Sequence, residues 1–582
     1  MTAVHAPVVE PDDPDDADEV DERDDGEGAE PSTARRDRMG DLAARRFGLL
    51  VLAAFAVGAL LRLGIGLTDD LASTDETAYL RSGISLVEGD GYARDGHAET
   101  HFPPLVPVLL GLGSKVFGDP HTGTVWLTGL ASTLLLVPLA LLARRLAGPL
   151  AGVATAWLAA LTPGLSTMVV NRGSGSEAIY AAFVVGALWF VVDSAGRTGR
   201  PRLVRVGLAG ALLGLAYLTR PEGLFAAVPL GLAVAYLAAR GVAGRGAQAR
   251  RVVATGAVFA VPLLVCVAPY AAYLHSHTGA WQLTAKTQDA SIEAWHAVAS
   301  DDREARDSIL WALDDTGYQF SVEHTSLTSL ARDDPGGFAE ILGTNLGRLG
   351  TMIVTDWSVV SLLVWVIAAV GAWRYRTSRR LWLVAAVAAV PVATTLGFFV
   401  HPRYLVVLVA LVTVLAGLGV AALRGWLRVG VLVALLAVSV VTSAQAFYGG
   451  SGWGRPTEGA DQRAAAQWIA AHSDPDDRIV TRSQVVQYYA DRTALALPYA
   501  DLPDVVRFAE HHGARYIVLD HYTARVLRPQ LWLLRFATEV DGLRLVYEAR
   551  VESRTVRIFE LDPPAGNPPA GEPVPTLGFT GD

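Results

Sequence analysis

The chain has 582 residues, 51% of them hydrophobic and 18% charged, with a mean hydropathy of +0.33. Stretches of about 17–25 residues nearly free of charge recur along it, and about 20 helical residues cross a hydrocarbon core, so a string of soluble domains is excluded and a polytopic membrane protein is expected. The net charge of −10 belongs to one end: residues 1–34 hold 13 of the 58 acids and one base, the remainder is close to neutral, and no basic domain offers itself to nucleic acid.

Residues 1–44 are expected to be a disordered acidic tail, too poor in apolar residues to fold. They do not read as a signal peptide, which begins basic and then turns apolar. Arg35, Arg36, Arg38, Arg45 and Arg46 precede the first apolar run, so the N-terminus is expected on the cytoplasmic side. Eleven spans are expected, at about 47–67, 122–143, 149–161, 177–192, 206–218, 224–239, 252–274, 351–373, 381–399, 404–422 and 429–446. The apolar run 104–117 is short. If it crossed, Arg144-Arg145 and the later basic loops would invert, so it is read as a helix lying at the outer interface. With this register most arginine-rich loops fall inside, and two outside turns still carry arginine, at Arg220 and Arg403.

The expected organisation is a transmembrane domain over 45–450, with a first outer loop at 68–121 and a long outer loop at 275–350. A small extracytoplasmic α/β domain follows over 451–562, with helices at 461–472 and 504–512 and strands at 478–481, 516–519, 543–548 and 555–560. Residues 563–582 are Pro/Gly-rich and read as a flexible tail. The single cysteine, Cys266, lies in an apolar run, so no internal disulfide or thiolate metal cluster can form.

The first outer loop holds the densest chemistry. It reads Ser73-Thr74-Asp75-Glu76-Thr77-Ala78-Tyr79, then Gly91-Tyr92, His97, Glu99 and His101-Phe102-Pro103-Pro104-Leu105. Adjacent carboxylates repel, so one can carry a raised pKa and act as a base. Either can ligate a hard divalent cation. The plain alternative is a solvated loop with an aspartate capping a helix from Thr77.

Asp-Glu after the first span and His-x-Pro-Pro-Leu heading an interfacial helix are followed by Leu218-Thr219-Arg220-Pro221-Glu222-Gly223 and His401-Pro402-Arg403-Tyr404 at later outer turns. In this order the motifs resemble the GT-C glycosyltransferases, in particular protein O-mannosyltransferases (family 39-like) and the lipid A aminoarabinose transferase. The resemblance covers roughly residues 45–450. It implies transfer of a sugar, with inversion, from a polyprenyl-phosphate monosaccharide to an extracytoplasmic acceptor: a protein, cell-wall glycan or lipid.

By the resemblance Asp75 is the catalytic base and Glu76 the second acidic position. His101 and His275 are its candidates for binding a divalent cation, manganese, magnesium or zinc. Two unrelated interfacial histidines are the alternative. A lipid-phosphate leaving group calls for a cationic clamp, and Arg220 and Arg403 are the natural donors. Arg172, Glu177, Lys286, Tyr92, His97 and Tyr404 are grouped with them as substrate-binding candidates. Trp281, Trp295, Trp311 and Tyr318 of the long loop can stack on sugar or form an interfacial belt.

There is no Gly-x-x-x-x-Gly-Lys-Ser/Thr phosphate loop and no His-Glu-x-x-His. The rival reading is a lipid-sugar transporter without covalent chemistry, which has no need of the Asp75-Glu76 pair. The expected location is a bacterial plasma membrane.

Overall fold

The computed structural model describes residues 38–68, 71–167, 175–285, 292–321, 327–448, 459–540, 542–551, 553–562 and 574–577. The acidic tail, Arg172, Lys286 and nearly all of 563–582 lie outside these residues.

Among the described residues nine helices are long and apolar enough to cross a membrane: Phe47–Gly66, Pro120–Ala147, Ser176–Ser194, Gly199–Thr219, Pro221–Ala239, Arg245–Thr278, Arg379–Leu396, Pro402–Ala422 and Gly425–Tyr448. They account for nine of the eleven expected spans. The other two are shorter. Pro149–Leu161 has 13 residues. The span expected at 351–373 divides into Pro335–Thr355 and Leu362–Arg374. The division follows from Asp356, which leaves helical geometry and accepts a hydrogen bond from Ser358, the local bond by which Asp and Ser compete with a helix. The apolar run Val359-Val360 hid this break. It packs where Gly164 donates its N–H to the Val359 carbonyl at 2.9 Å, an approach that a Cβ on Gly164 would block.

Ser176–Ser194 and Pro402–Ala422 sit at the centre of the bundle, 78% buried over their apolar windows against 22% for Phe47–Gly66. Arg62, fully buried on Phe47–Gly66, donates to the carbonyls of Ala159, Ala160 and Leu165 at 2.6–3.0 Å. It thereby satisfies carbonyls left open where Pro149–Leu161 ends. The two ends of Ser176–Ser194 are marked by acids. Asp193 pairs with Arg145, Arg197 and Arg205, which gathers two arginine-bearing connections at one end. Glu177 marks the other.

At that second end, helix Thr74–Glu88 packs on the short apolar helix Leu105–Phe117. The contact is made by glycines: a Cβ on Gly83 would lie 2.0 Å from the Pro107 carbonyl, and one on Gly111 2.2 Å from that of Gly83. Thirteen residues rise only about 20 Å, which is too short for a span. Between the two helices lies a hairpin of β1 (Ala93–Arg94) and β2 (His97–Ala98).

The C-terminal region is a six-stranded sheet ordered β4-β3-β5-β8-β7-β6. Its strands are β3 (Arg478–Thr481), β4 (Thr493–Ala496), β5 (Ala514–Leu519), β6 (Glu539–Val540), β7 (Leu543–Val551) and β8 (Arg554–Leu561). β3 runs parallel to β4 and β5, and the rest of the sheet is antiparallel. Helices Ala460–His472, Gln484–Ala490 and Leu502–His511 accompany it. The short β4 and helix Gln484–Ala490 were not anticipated: Thr-Ala-Leu-Ala carries no strand signature, and parallel pairing with β3 supplies what composition does not.

Part of the long connection between Arg245–Thr278 and Pro335–Thr355 belongs to this core. Trp311 is buried in it, Leu313 and Phe320 pack against it, and the Tyr499 N–H donates to the Trp311 carbonyl at 2.8 Å. Asp307, on helix Arg303–Leu310, accepts from Arg482 at 2.7 and 3.0 Å and from Arg528 at 2.9 Å. Where this region meets helix Thr74–Glu88, the Ala72 N–H donates to the Tyr489 hydroxyl oxygen at 3.0 Å.

Candidate active site

Helix Thr74–Glu88 starts three residues earlier than Thr77, with Ser73 in extended geometry at its N-cap position. Asp75 is therefore not the cap. Asp75 and Glu76 both occupy the first turn, where carboxylates face the exposed N–H groups of the helix. Successive residues point about 100° apart around a helix, and the two acids separate accordingly. Glu76 turns inward, with 3% exposure. One of its oxygens accepts from the Ser73 N–H at 3.1 Å, and the other lies 2.8 Å from Nδ1 of His121. Asp75 faces a cleft and accepts from a terminal nitrogen of Arg403 at 2.7 Å. The repulsion expected from adjacent carboxylates is thus relieved by separate partners.

Arg403 comes from the turn Pro402–Leu405 that opens the span Pro402–Ala422. Asn345 fixes the segment leading into it: its side-chain amide donates to the carbonyls of Leu396 and Phe398 at 3.0 and 3.2 Å, and its carbonyl oxygen accepts from the Val400 N–H at 3.3 Å. Arg220 ends helix Gly199–Thr219, where Pro221 follows and the backbone turns extended. It donates to Glu177 at 3.0 Å, Ser176 at 3.1 Å and Glu222 at 3.3 Å. Nε of Arg403 lies 3.9 Å from the same Glu177 oxygen. Arg403 also donates to the Tyr404 hydroxyl oxygen at 3.0 Å. Both guanidiniums lie over the Tyr404 ring, at 5.1 Å for Arg220 and 5.0 Å for Arg403.

The result is an alternating chain, Asp75–Arg403–Glu177–Arg220–Glu222, assembled from four separate stretches of sequence. Tyr79, one turn beyond Asp75, is fully enclosed beside it. Burial and then the Asp75 charge push its phenol above the usual range.

Asp75, Arg403 and Tyr404 line a cleft of about 1360 Å³. Helices Arg303–Leu310 and Pro335–Thr355 contribute to its wall, as do Gln462, Arg482 and Tyr522 of the C-terminal region. The arrangement offers a carboxylate with about a third of its side chain exposed, held by a cation that an incoming anion could compete for.

The other expected site residues fall elsewhere. The Tyr92 hydroxyl donates to the Phe102 carbonyl at 2.7 Å and its ring packs on Tyr273, which commits it to the loop's own architecture. Burial pushes its phenol up. His97 is exposed on the β1–β2 hairpin. His101 stands edge-on to Phe102, and His275 stacks on Trp281 with its Nδ1 buried and without a hydrogen-bond partner. Among the described residues no group of three or more His, Cys, Asp or Glu is placed to hold a metal ion. Arg172 and Lys286 lie outside the described residues. Of the four loop aromatics, Trp281 is exposed, Trp295 is buried against Phe398, Trp311 is in the C-terminal core and Tyr318 stacks on His511.

Two residues were not legible as functional. His121 holds Glu76 from 45 positions away, with no signal beyond its place just inside the helix that Asp119 caps. Glu99, fully buried, receives Arg94 at 2.7 Å, Ser82 at 3.0 Å and the N–H groups of His101 and Phe102 at 2.8 and 3.1 Å, and so organises the loop.

Residues 101–273 match the family model described as dolichyl-phosphate-mannose-protein mannosyltransferase. No curated protein matches the chain by sequence. Among solved structures, ArnT from Cupriavidus metallidurans bound to undecaprenyl phosphate aligns at 17% identity and a TM-score of 0.52, over 88% of this chain and 98% of that one. The archaeal oligosaccharyltransferase AglB from Archaeoglobus fulgidus, in complex with an inhibitory peptide and a dolichol-phosphate, aligns at 14% identity and a TM-score of 0.51, over 83% and 70%. AglB has also been determined with Zn and sulfate. Identities this low speak for the fold alone. The chain is a polytopic membrane protein that shares its fold with these two membrane proteins, and its residues 101–273 match the mannosyltransferase family model.

Proposed function

We propose that the protein transfers a sugar from a polyprenyl-phosphate donor to an acceptor hydroxyl on the non-cytoplasmic face of a bacterial plasma membrane, with inversion at the anomeric carbon. The observation that carries this reading is the Asp75–Arg403 pair, joined across 328 positions at the edge of a cleft and flanked by Arg220. The relatives of known structure were captured with undecaprenyl phosphate and with dolichol-phosphate, which favours a lipid-phosphate donor. The arginines gathered by Asp193 at the opposite end favour that end as the cytoplasmic one.

In the resting pair Asp75 is occupied by Arg403. A donor phosphate competes for that guanidinium, with Arg220 as its neighbour, and frees the carboxylate. Asp75 then takes the proton of the acceptor hydroxyl. The oxygen attacks the anomeric carbon from the face opposite the phosphate. The bond from that carbon to the phosphate oxygen breaks, and its electron pair leaves on polyprenyl phosphate, whose charge the two guanidiniums stabilise. Glu76 has both oxygens engaged and acts by positioning the first turn.

The test is a nanodisc assay with labelled polyprenyl-phosphate sugars, comparing wild type with Asp75→Asn. Release of lipid phosphate that disappears in the variant while donor still binds supports the reading. Donor that crosses the bilayer equally in both proteins, with no release from any sugar, overturns it in favour of transport.

A further inference from the structure

One wall of the cleft has no part in this chemistry. Helix Arg303–Leu310 presents Arg303 and Arg306 to it, and helix Pro335–Thr355 presents Arg348. Arg303 and Arg348 converge on one ring, with guanidinium carbons 6.0 and 5.5 Å from the centre of Phe399. Like charges gathered on one ring repel unless something negative lies between them. The nearby acids are already committed. Asp301 pairs with Arg303 at 2.6 Å, and Asp302 caps its helix by accepting from the Ala305 N–H at 2.9 Å. Asp307 is held by Arg482 and Arg528 and lies 3.3 Å from Arg306, and Asp356 accepts from Ser358. Among the described residues Arg348 has no ion pair, and Arg306, whose Nη2 reaches Asp307 at 3.3 Å, keeps its Nε buried with no hydrogen-bond partner.

We infer that this wall binds a phosphate or carboxylate group of the acceptor, and that the acceptor is an anionic saccharide. Guanidiniums match such groups with paired donors. The cleft, at about 1360 Å³, exceeds the roughly 300–1,000 Å³ of ordinary small-molecule sites. Its remaining lining sets Gln462, Ser483 and Gln484 among apolar Val298, Met352, Phe398 and Leu527, which offers hydrogen-bonding groups to hydroxyls and apolar faces to sugar rings. The word acceptor rests on the transferase reading; the anion site does not.

The test therefore needs no turnover. Full-length protein in nanodiscs is titrated with mannotetraose 6-phosphate, unphosphorylated mannotetraose, inorganic phosphate and an acidic heptapeptide. Wild type is expected to prefer the phosphorylated saccharide over the neutral one by about tenfold or more, and over inorganic phosphate alone. Arg303→Gln/Arg348→Gln should abolish that preference while binding undecaprenyl phosphate as wild type does. Arg303→Lys/Arg348→Lys, which keeps the charge, should retain most of it and controls for misfolding. Equal affinity for both saccharides in wild type, or a preference that survives in the glutamine variant, overturns the site. Loss of undecaprenyl phosphate binding in the glutamine variant also overturns it, because the wall would then belong to the donor cradle. Tightest binding of the peptide overturns the saccharide assignment. Whether Asp75→Asn still releases lipid phosphate is read separately.

Discussion

Helix Ser176–Ser194 carries a buried carboxylate near each end, and each carboxylate is matched by arginines. The two clusters differ in what surrounds the cations. Around Asp193 the side chains of Arg145, Arg197 and Arg205 are 47%, 36% and 22% exposed, so water or lipid headgroups can share them. Around Glu177 the side chain of Arg220 is 10% exposed and that of Arg403 25%, and both lie over Tyr404. Poorly screened charges interact several-fold more strongly than exposed ones. The same residue types therefore make a partly solvated cluster at one end and, at the other, a cluster built on the buried Arg220 that borders a cleft. Under the proposed function it is the cleft beside the Asp75–Arg403 pair, rather than charge pairing alone, that sets the second cluster apart.

Four experiments break or sharpen that comparison. The largest effect is expected from Asp75→Asn: lipid-phosphate release should fall by about 10²–10⁴-fold, the worth of a positioned base, with donor affinity kept. Next comes Arg403→Gln, which should lower turnover by about 10²–10³-fold, as loss of a preorganised donor to a developing anion does. Arg403→Lys should recover only part of this, because an ammonium lacks the planar paired donors. Turnover unaffected by either Arg403 variant would dissolve the claim that the enclosed cluster is the working one.

Third, thermal unfolding in detergent should separate the two carboxylates. Glu177→Gln removes the buried acid that Arg220, itself 10% exposed, holds at 3.0 Å, and should cost about 3–5 kcal/mol. Asp193→Asn, whose arginines reach solvent, should cost about 1 kcal/mol and leave transfer unchanged. Equal costs would erase the contrast.

The smallest effect concerns the joint between the long connection and the C-terminal sheet. Burial alone would raise the Asp307 carboxyl, but Arg482, then Arg528, more than offset it and hold it at about 2, against 3.8 unfolded. A depressed folded value means stability present above about pH 4 and lost as pH falls through about 2. The lost share is about 2 kcal/mol, and Asp307→Asn should flatten the unfolding midpoint over that window.

Much of the fold was legible because a membrane span is a local statement: about 20 apolar residues declare themselves wherever they occur. The break at Asp356 was missed because apolar Val359-Val360 masked a polar turn. Strands β3 and β5 declared themselves by β-branched and aromatic content, whereas β4 depends on its neighbour. At the site, Asp75, Arg220, Arg403, Glu177 and Tyr404 were singled out one by one and the fold brings them together. His101 and His275 were singled out on resemblance alone, and they settle on different aromatic partners, Phe102 and Trp281.

The sequence by itself determined that this is a membrane protein, where most of its helices lie, and which acids and arginines stand at the same end of the bundle, because hydrophobic length and charge placement are properties of short segments. Only the tertiary structure decided that Arg403 reaches Asp75, that His121 holds Glu76, and that Trp311 and Asp307 belong to the C-terminal core. Those contacts join positions 328, 45 and about 175 residues apart, and no local propensity encodes a distance across the chain.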